Sequence, residues 1–211
     1  MKDIFNDVLK KLDELELEFQ ENKGIILTEY DLQCLLFCKL YHYHLLRHNE
    51  YTFDNNIKGS PLHTEISFFN ENKKLSYRPD ITIIETKNYS IIHSVADIIT
   101  IKDGYIQYDK TSSKGFEFCG DAIIIELKFI HDTNGIKQIR GIKNDYYKIN
   151  KIKKLVERNG QNKVYGIVAV FNKTDRKSDE CSNYIALRDN ESDVRVKYYT
   201  GKFENTTVTT Q

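Results

Sequence analysis

Residues 164–171 (VYGIVAVF) form an almost unbroken run of apolar, strand-forming side chains. A strand with that composition hides both of its faces, which requires a mixed or parallel sheet with cover on each side. A second strand, 121–129 (DAIIIELKF), lies upstream of it. Between the two, residues 136–158 have helical character and stop at Asn159-Gly160. These three segments place the chain in the α/β class. The apolar run is also far short of the ~20 residues that a membrane-crossing helix needs.

The rest of the chain reads around that centre. Ile4, Val8, Leu12, Leu15 and Phe19 recur at spacings of three and four, which predicts an amphipathic helix over 1–21 ending near Lys23-Gly24. Thr28 is an N-cap with Asp31 three residues on, and Glu29 suits the positive helix end. The stripe Leu32, Leu35, Leu36, Leu40 and Tyr43 carries that second helix to about residue 47. After a loop over 49–61 the period becomes two, giving strands over 62–69 and 78–85 around a polar turn at 70–74. Residues 90–101 read as a short helix then a strand, and 103–110 as a hairpin arm. A short helix is expected over 178–186, an edge strand over 193–203 and a frayed tail beyond it. With 211 residues, no repeats and no low-complexity linker, the expectation is one domain. Its parts are an N-terminal helical extension (1–27), a core (28–171) and C-terminal edge elements (172–211).

Composition limits what this domain can do. Lys plus Arg and Asp plus Glu both number 31, so bulk positive charge cannot hold a polyanion, and any contact with one falls to a local patch. The four cysteines (34, 38, 119, 181) lack metal-site spacing and read as free, buried thiols of a cytoplasmic protein. The N-terminus has no secretory pattern. Cys34, Cys38 and His42 share a helical face, but a core-facing helix explains them better than a zinc site that would lack a fourth ligand.

The chemistry is concentrated around strand 121–129. Glu126 and Lys128 point the same way, because strand side chains alternate, while Ile123, Ile125, Leu127 and Phe129 fill the other face. A buried charge needs a partner or a metal. Arg78-Pro79-Asp80 sets a carboxylate where the next strand begins, with Pro79 at a position that tolerates the missing N–H. Glu65 on the preceding strand is a third acid. Three acids brought together repel one another and raise each other's pKa unless a cation sits among them, and an all-oxygen set suits Mg²⁺, with Mn²⁺ as substitute.

The run Glu65, Arg78-Pro79-Asp80 and Glu126-Leu127-Lys128 resembles the PD-(D/E)XK nuclease superfamily. The resemblance spans roughly residues 28–171 and includes Asp145-Tyr146-Tyr147-Lys148 in the helix after the motif lysine. It implies a restriction-endonuclease-like mixed sheet flanked by helices, and a Mg²⁺-dependent nuclease acting on phosphodiester bonds, with DNA as the expected substrate. It further implies Asp80 and Glu126 as metal ligands, with the Leu127 carbonyl as a third oxygen. Lys128 would position the attacking water, Glu65 would complete the metal shell or orient a water, and Glu29 matches an acid that some members add from their opening helix. The ~40 residues between Asp80 and Glu126 depart from the family pattern and suggest an inserted hairpin region.

Plainer readings compete with each of these. Glu126 and Lys128 could be an ion pair on a solvated sheet face, Glu29 could serve only the helix dipole, and His63 reads as an ordinary surface histidine. Helix 136–158 carries eight basic residues against two acids, a patch suited to a phosphate backbone through Lys148, Lys151 and Lys154, or simply a solvated face. The alternatives to a nuclease are a nuclease-fold protein that binds nucleic acid or a protein partner without cutting, and a subunit of a larger nuclease complex. A homodimer is compatible with either, and no membrane association is expected.

Overall fold

The computed structural model describes residues 1–43, 46, 50–53, 57–70, 72, 74–91, 100–102, 105–107, 111–112, 116–118, 120–131, 135–157, 162–173, 178–186 and 194–200. In chain order, helices α1 (Lys2–Glu21) and α2 (Glu29–Tyr41) precede short strands β1 (Leu62–Thr64), β2 (Phe68–Phe69), β3 (Leu75–Tyr77) and β4 (Ile81–Ile84). Five more short strands follow: β5 (Tyr89–Ile91), β6 (Thr100–Lys102), β7 (Tyr105–Gln107), β8 (Thr111–Ser112) and β9 (Phe116–Phe118). The long strands β10 (Ala122–Ile130) and β11 (Val164–Asn172) flank helix α3 (Gly135–Val156), and α4 (Ser178–Ala186) leads to β12 (Val194–Thr200).

The main sheet has the order β1-β4-β10-β11-β12. Strand β10 runs parallel to β11 and antiparallel to β4, and β12 is parallel to β11 at the sheet's edge. The alternation of side chains along β10 divides two cores. Ile123, Ile125, Leu127 and Phe129 face α1 and α2, while Ala122 and Ile124 join Ile142, Ile149, Ile152 and Val156 of α3 on the other side. Strand β11 is buried throughout except at Tyr165, as its apolar composition demands. Helix α1 contributes Phe5, Val8, Leu12, Leu15 and Phe19 to the same core as α2, so the N-terminal segment is one of the covering layers.

Several boundaries differ from the sequence reading for physical reasons. Helix α2 opens with the expected Thr28/Asp31 capping box but closes at Tyr41, with His42 N–H on Cys38 O. Tyr43 lies past the helix end and donates its hydroxyl to Asp7 of α1. The expected strand 62–69 breaks at Glu65, whose φ of 51° is left-handed. Its first part pairs with β4, and Phe68–Phe69 pairs instead with β3 in a separate two-stranded sheet. The expected strand 78–85 contracts to Ile81–Ile84. Within 88–119, β6 and β7 form the expected hairpin, and β5, β9 and β8 form a further small sheet. The short helix expected after residue 90 falls largely on residues 92–99, outside the described residues.

Two burial expectations are also corrected. Cys34 and Cys38 are free and exposed on the outer side of α2, because the helix packs its Leu32, Leu36 and Leu40 inward; Cys181 is free and buried, and Cys119 lies outside the described residues. His63 is half-buried rather than a surface residue, with its ring edge-on to Tyr89 at 5.5 Å, and burial lowers its pKa. No helix among the described residues is long and apolar enough to cross a membrane.

Candidate functional site

The site forms where β10 outruns its neighbour. The β4–β10 ladder ends at Ile81↔Ile125, whereas β10 continues to Ile130. Continuing that register by one residue sets Asp80 opposite Glu126. Beyond the last pair, the N–H groups of Leu127 and Phe129 point to an edge with no strand, and a buried donor must find an acceptor. Two carboxylates supply it. Asp80 Oδ2 accepts from Leu127 N–H at 2.6 Å, and Glu29 Oε2 accepts from Phe129 N–H at 3.3 Å. The acids therefore gather here partly because the open strand edge draws them.

Helix α2 fixes this edge from one side. Glu29 stands in its first turn, and Gln33, one turn later, donates its side-chain N–H to the Asp80 carbonyl at 2.8 Å. The Glu65 N–H donates to that same carbonyl at 3.1 Å. The Glu65 carboxylate instead lies 3.4 Å from Arg78 Nε. The backbone of Glu65 thus helps position Asp80, while its side chain is engaged outside the acid cluster.

Helix α3 closes the other side. Its buried stripe runs Ile142, Asp145, Ile149, Ile152 and Val156, placing one aspartate among aliphatic residues. Asp145 Oδ2 lies 3.5 Å from Lys128 Nζ, and Glu29 Oε2 lies 3.0 Å from the same ammonium. Lys148, one turn after Asp145, reaches Glu126 Oε2 at 2.7 Å and the Arg78 carbonyl at 3.2 Å. Lys148 is therefore a member of the acid cluster rather than part of an outer phosphate-binding face. Lys151 stacks its ammonium 5.7 Å above the exposed Tyr147 ring, and Lys154 is exposed on the outer side of α3.

Electrostatics bind these groups into one unit. Burial pushes the Glu126 carboxyl up to about 8, against the pull of Lys148 and with help from Asp80 and Asp145. Burial likewise raises Asp80 to about 6, opposed by the Leu127 N–H and reinforced by Glu29. Asp145 is raised by burial despite Lys128 and Lys148. Burial alone would lower Lys128, but Asp145, Glu29 and Asp80 outweigh it and hold the ammonium above its ordinary pKa. Four acids thus face two lysines, an excess of two negative charges when all are ionised. Glu126 is only 2% exposed; its Oε1 is buried without a hydrogen-bond partner, and the buried Asp145 Oδ2 has no more than its 3.5 Å ion pair with Lys128. Such under-satisfied acceptors are expensive and suit a cation that would take them.

The carboxylates do not converge as they stand. Among the described residues no three His, Cys, Asp or Glu side chains form a group ready to hold one metal ion. Each acid is drawn to its own donor: Asp80 to Leu127, Glu126 to Lys148, Glu29 to Lys128. Gln33 was not among the candidate residues in the sequence, and Asp145 figured only in the Asp145-Tyr146-Tyr147-Lys148 run, with no role assigned to it. Both interrupt apolar helical stripes with a polar side chain, and that interruption was the available signal. Compared with family models, curated proteins and solved structures, the chain matches none of them.

Proposed function

We propose that the chain is a divalent-metal-dependent nuclease with a restriction-endonuclease-like fold, hydrolysing phosphodiester bonds, with DNA as the expected substrate. The observation that carries this reading is Glu126: a carboxylate buried in the central strand, beside Asp80 and Asp145, with one oxygen left without a partner. The donor set fits Mg²⁺ or Mn²⁺, being all oxygen and leaving, once its acids are ionised, two excess negative charges that a divalent ion would cancel. Asp80 and Glu126 would hold the ion, with Asp145 as a neighbouring acid. The bound ion would supply Lewis-acid polarisation of the phosphate and a more acidic water.

The remaining work belongs to the chain's own side chains. Glu29 and Asp145 grip Lys128 from two sides and so fix a positive charge at the end of β10, where negative charge grows on the phosphate as water attacks. The apolar walls on both faces of β10 lower the local dielectric and strengthen that charge's effect. Lys151 and Lys154, farther along α3, would be the basic residues that follow a phosphate backbone. The site lies toward the C-terminal end of the parallel pair β10–β11, where open α/β sheets commonly bind ligands.

A specific observation favours a second reading. Lys148 and Lys128 already pair with Glu126 and Glu29, and a cluster satisfied in this way also suits a protein that binds nucleic acid or a protein partner without cutting it. The separating experiment is cleavage of labelled single-stranded DNA, duplex DNA and RNA with Mg²⁺ or Mn²⁺, using wild type, Asp80→Asn and Lys128→Met. Metal-dependent cutting that both substitutions abolish is the expected result. A wild type that cuts none of these substrates would leave the non-cutting reading in its place.

A further inference from the structure

The two lysines of the cluster are held unequally. Lys128 sits between Glu29 and Asp145, at 3.0 and 3.5 Å, on the central strand. Lys148 has Glu126 at 2.7 Å as its carboxylate partner and is otherwise held by the Arg78 carbonyl at 3.2 Å. Its side chain is 26% exposed and extends from a helix flank, so rotation about its flexible stem can carry the ammonium toward solvent. Glu126 cannot follow, because it is fixed in β10 and buried. The Lys148 ammonium satisfies only Oε2 and leaves Oε1 without a partner. A single positive charge therefore meets only one of the two Glu126 oxygens, in a cluster where Asp145 Oδ2 has just its 3.5 Å ion pair with Lys128.

We propose that Lys148 is the resident counter-ion of Glu126, displaced when a divalent cation binds there, and that its freed ammonium then takes a phosphate oxygen of the substrate. This rests on the metal-dependent reading above and adds an order to it. Before the cation arrives, Lys148 occupies the Oε2 side of Glu126 at 2.7 Å and offsets whatever charge that buried carboxyl carries. Once displaced, it adds a positive charge to the phosphate-binding side at the moment the site becomes competent. Cation and polyanion then reinforce each other's binding, and the coupling is reciprocal.

The test is equilibrium Mn²⁺ binding, read from the paramagnetic resonance of free Mn²⁺, on wild type, Lys148→Gln, Lys148→Arg and Glu126→Gln. Lys148→Gln removes the competing charge, so Mn²⁺ should bind at least about 5-fold more tightly than to wild type. Lys148→Arg, which keeps the charge, should stay near wild type, and Glu126→Gln should lose the site. In parallel, Ca²⁺ should tighten binding of a labelled DNA oligonucleotide to wild type and do so much less for Lys148→Gln. Wild type that binds Mn²⁺ while Lys148→Gln binds it no more tightly overturns this inference alone. Absence of Mn²⁺ binding by all four proteins overturns the metal-dependent reading and this inference together.

Discussion

The Asp80 carboxylate accepts the Leu127 N–H at 2.6 Å, and in doing so it stands in for the strand residue that β4 no longer provides. The residue proposed as a metal ligand is thus also the cap of an open sheet edge. The same holds for Glu29, which takes the Phe129 N–H and Lys128 together. Substitutions at this site therefore change stability as well as chemistry.

Gln33 tests the structural half of that statement. Its amide supports the Asp80 carbonyl from a nearly buried position on α2. Gln33→Leu keeps the volume and removes the donor, and should cost about 1–2 kcal/mol in chemical denaturation. It should also lower cleavage by displacing Asp80. Unchanged stability would mean that the Glu65 N–H alone fixes this turn.

Lys128 and Glu126 should respond in opposite directions. Lys128→Met leaves Asp145 buried with one fewer cation, and should destabilise the metal-free protein by about 2–4 kcal/mol. Glu126→Gln removes a buried, mutually repelling carboxylate, and should leave the metal-free protein as stable as wild type or more so while abolishing cleavage. Thermal melts without metal check both.

The pH dependence follows from the raised acids. Glu126 and Asp80 hold their protons up to about 8 and about 6 in the folded protein. In the unfolded chain both ionise near pH 4. Between those limits the folded state binds more protons than the unfolded one, so stability falls as pH rises. Metal-free Tm should therefore decline from about pH 5 to about pH 8, and Glu126→Gln should flatten the decline. Added Mg²⁺ should also flatten it, since the ion favours the ionised carboxylates. A wild-type Tm that rises through this window would contradict the assignment.

Much of the frame was legible in the sequence because it rests on periodicity. The apolar run at 164–171 pointed to a strand buried on both faces, Thr28 and Asp31 to a helix start, and alternation in β10 to one apolar face carrying Ile123, Ile125, Leu127 and Phe129. The misreadings have tertiary causes. Alternation continues through Glu65, yet the backbone turns there because Asp80 takes its N–H and β4 begins only at Ile81. Lys148 reads as the end of the Asp145–Lys148 run and as a phosphate-contact lysine of α3, and only the packing of that helix on β10 shows it meeting Glu126. Gln33 was not singled out and Asp145 entered only within the Asp145-Tyr146-Tyr147-Lys148 run, since an apolar stripe does not reveal what its polar members face.

That packing depends on Gly166. A Cβ there would stand 2.5 Å from Ile149 Cγ2 and 2.9 Å from Val194 Cγ2, so the glycine lets α3 approach β11 closely. Gly166→Ala should cost about 1–3 kcal/mol by overpacking. It should also weaken cleavage by more than that stability loss explains, because α3 carries Asp145 and Lys148. A folded variant with full activity would show that the site tolerates a shifted α3.

The proposed divalent ion at the open edge of β10 would be held by Asp80 and Glu126. The most direct test of that proposal is a crystal soaked in Mn²⁺ and measured for anomalous scattering. The expected result is one anomalous peak within bonding distance of both carboxylates, about 2.0–2.3 Å from oxygen, with Lys148 moved away from Glu126. Anomalous density elsewhere, or an unchanged Lys148–Glu126 pair in a crystal saturated with Mn²⁺, would contradict the account.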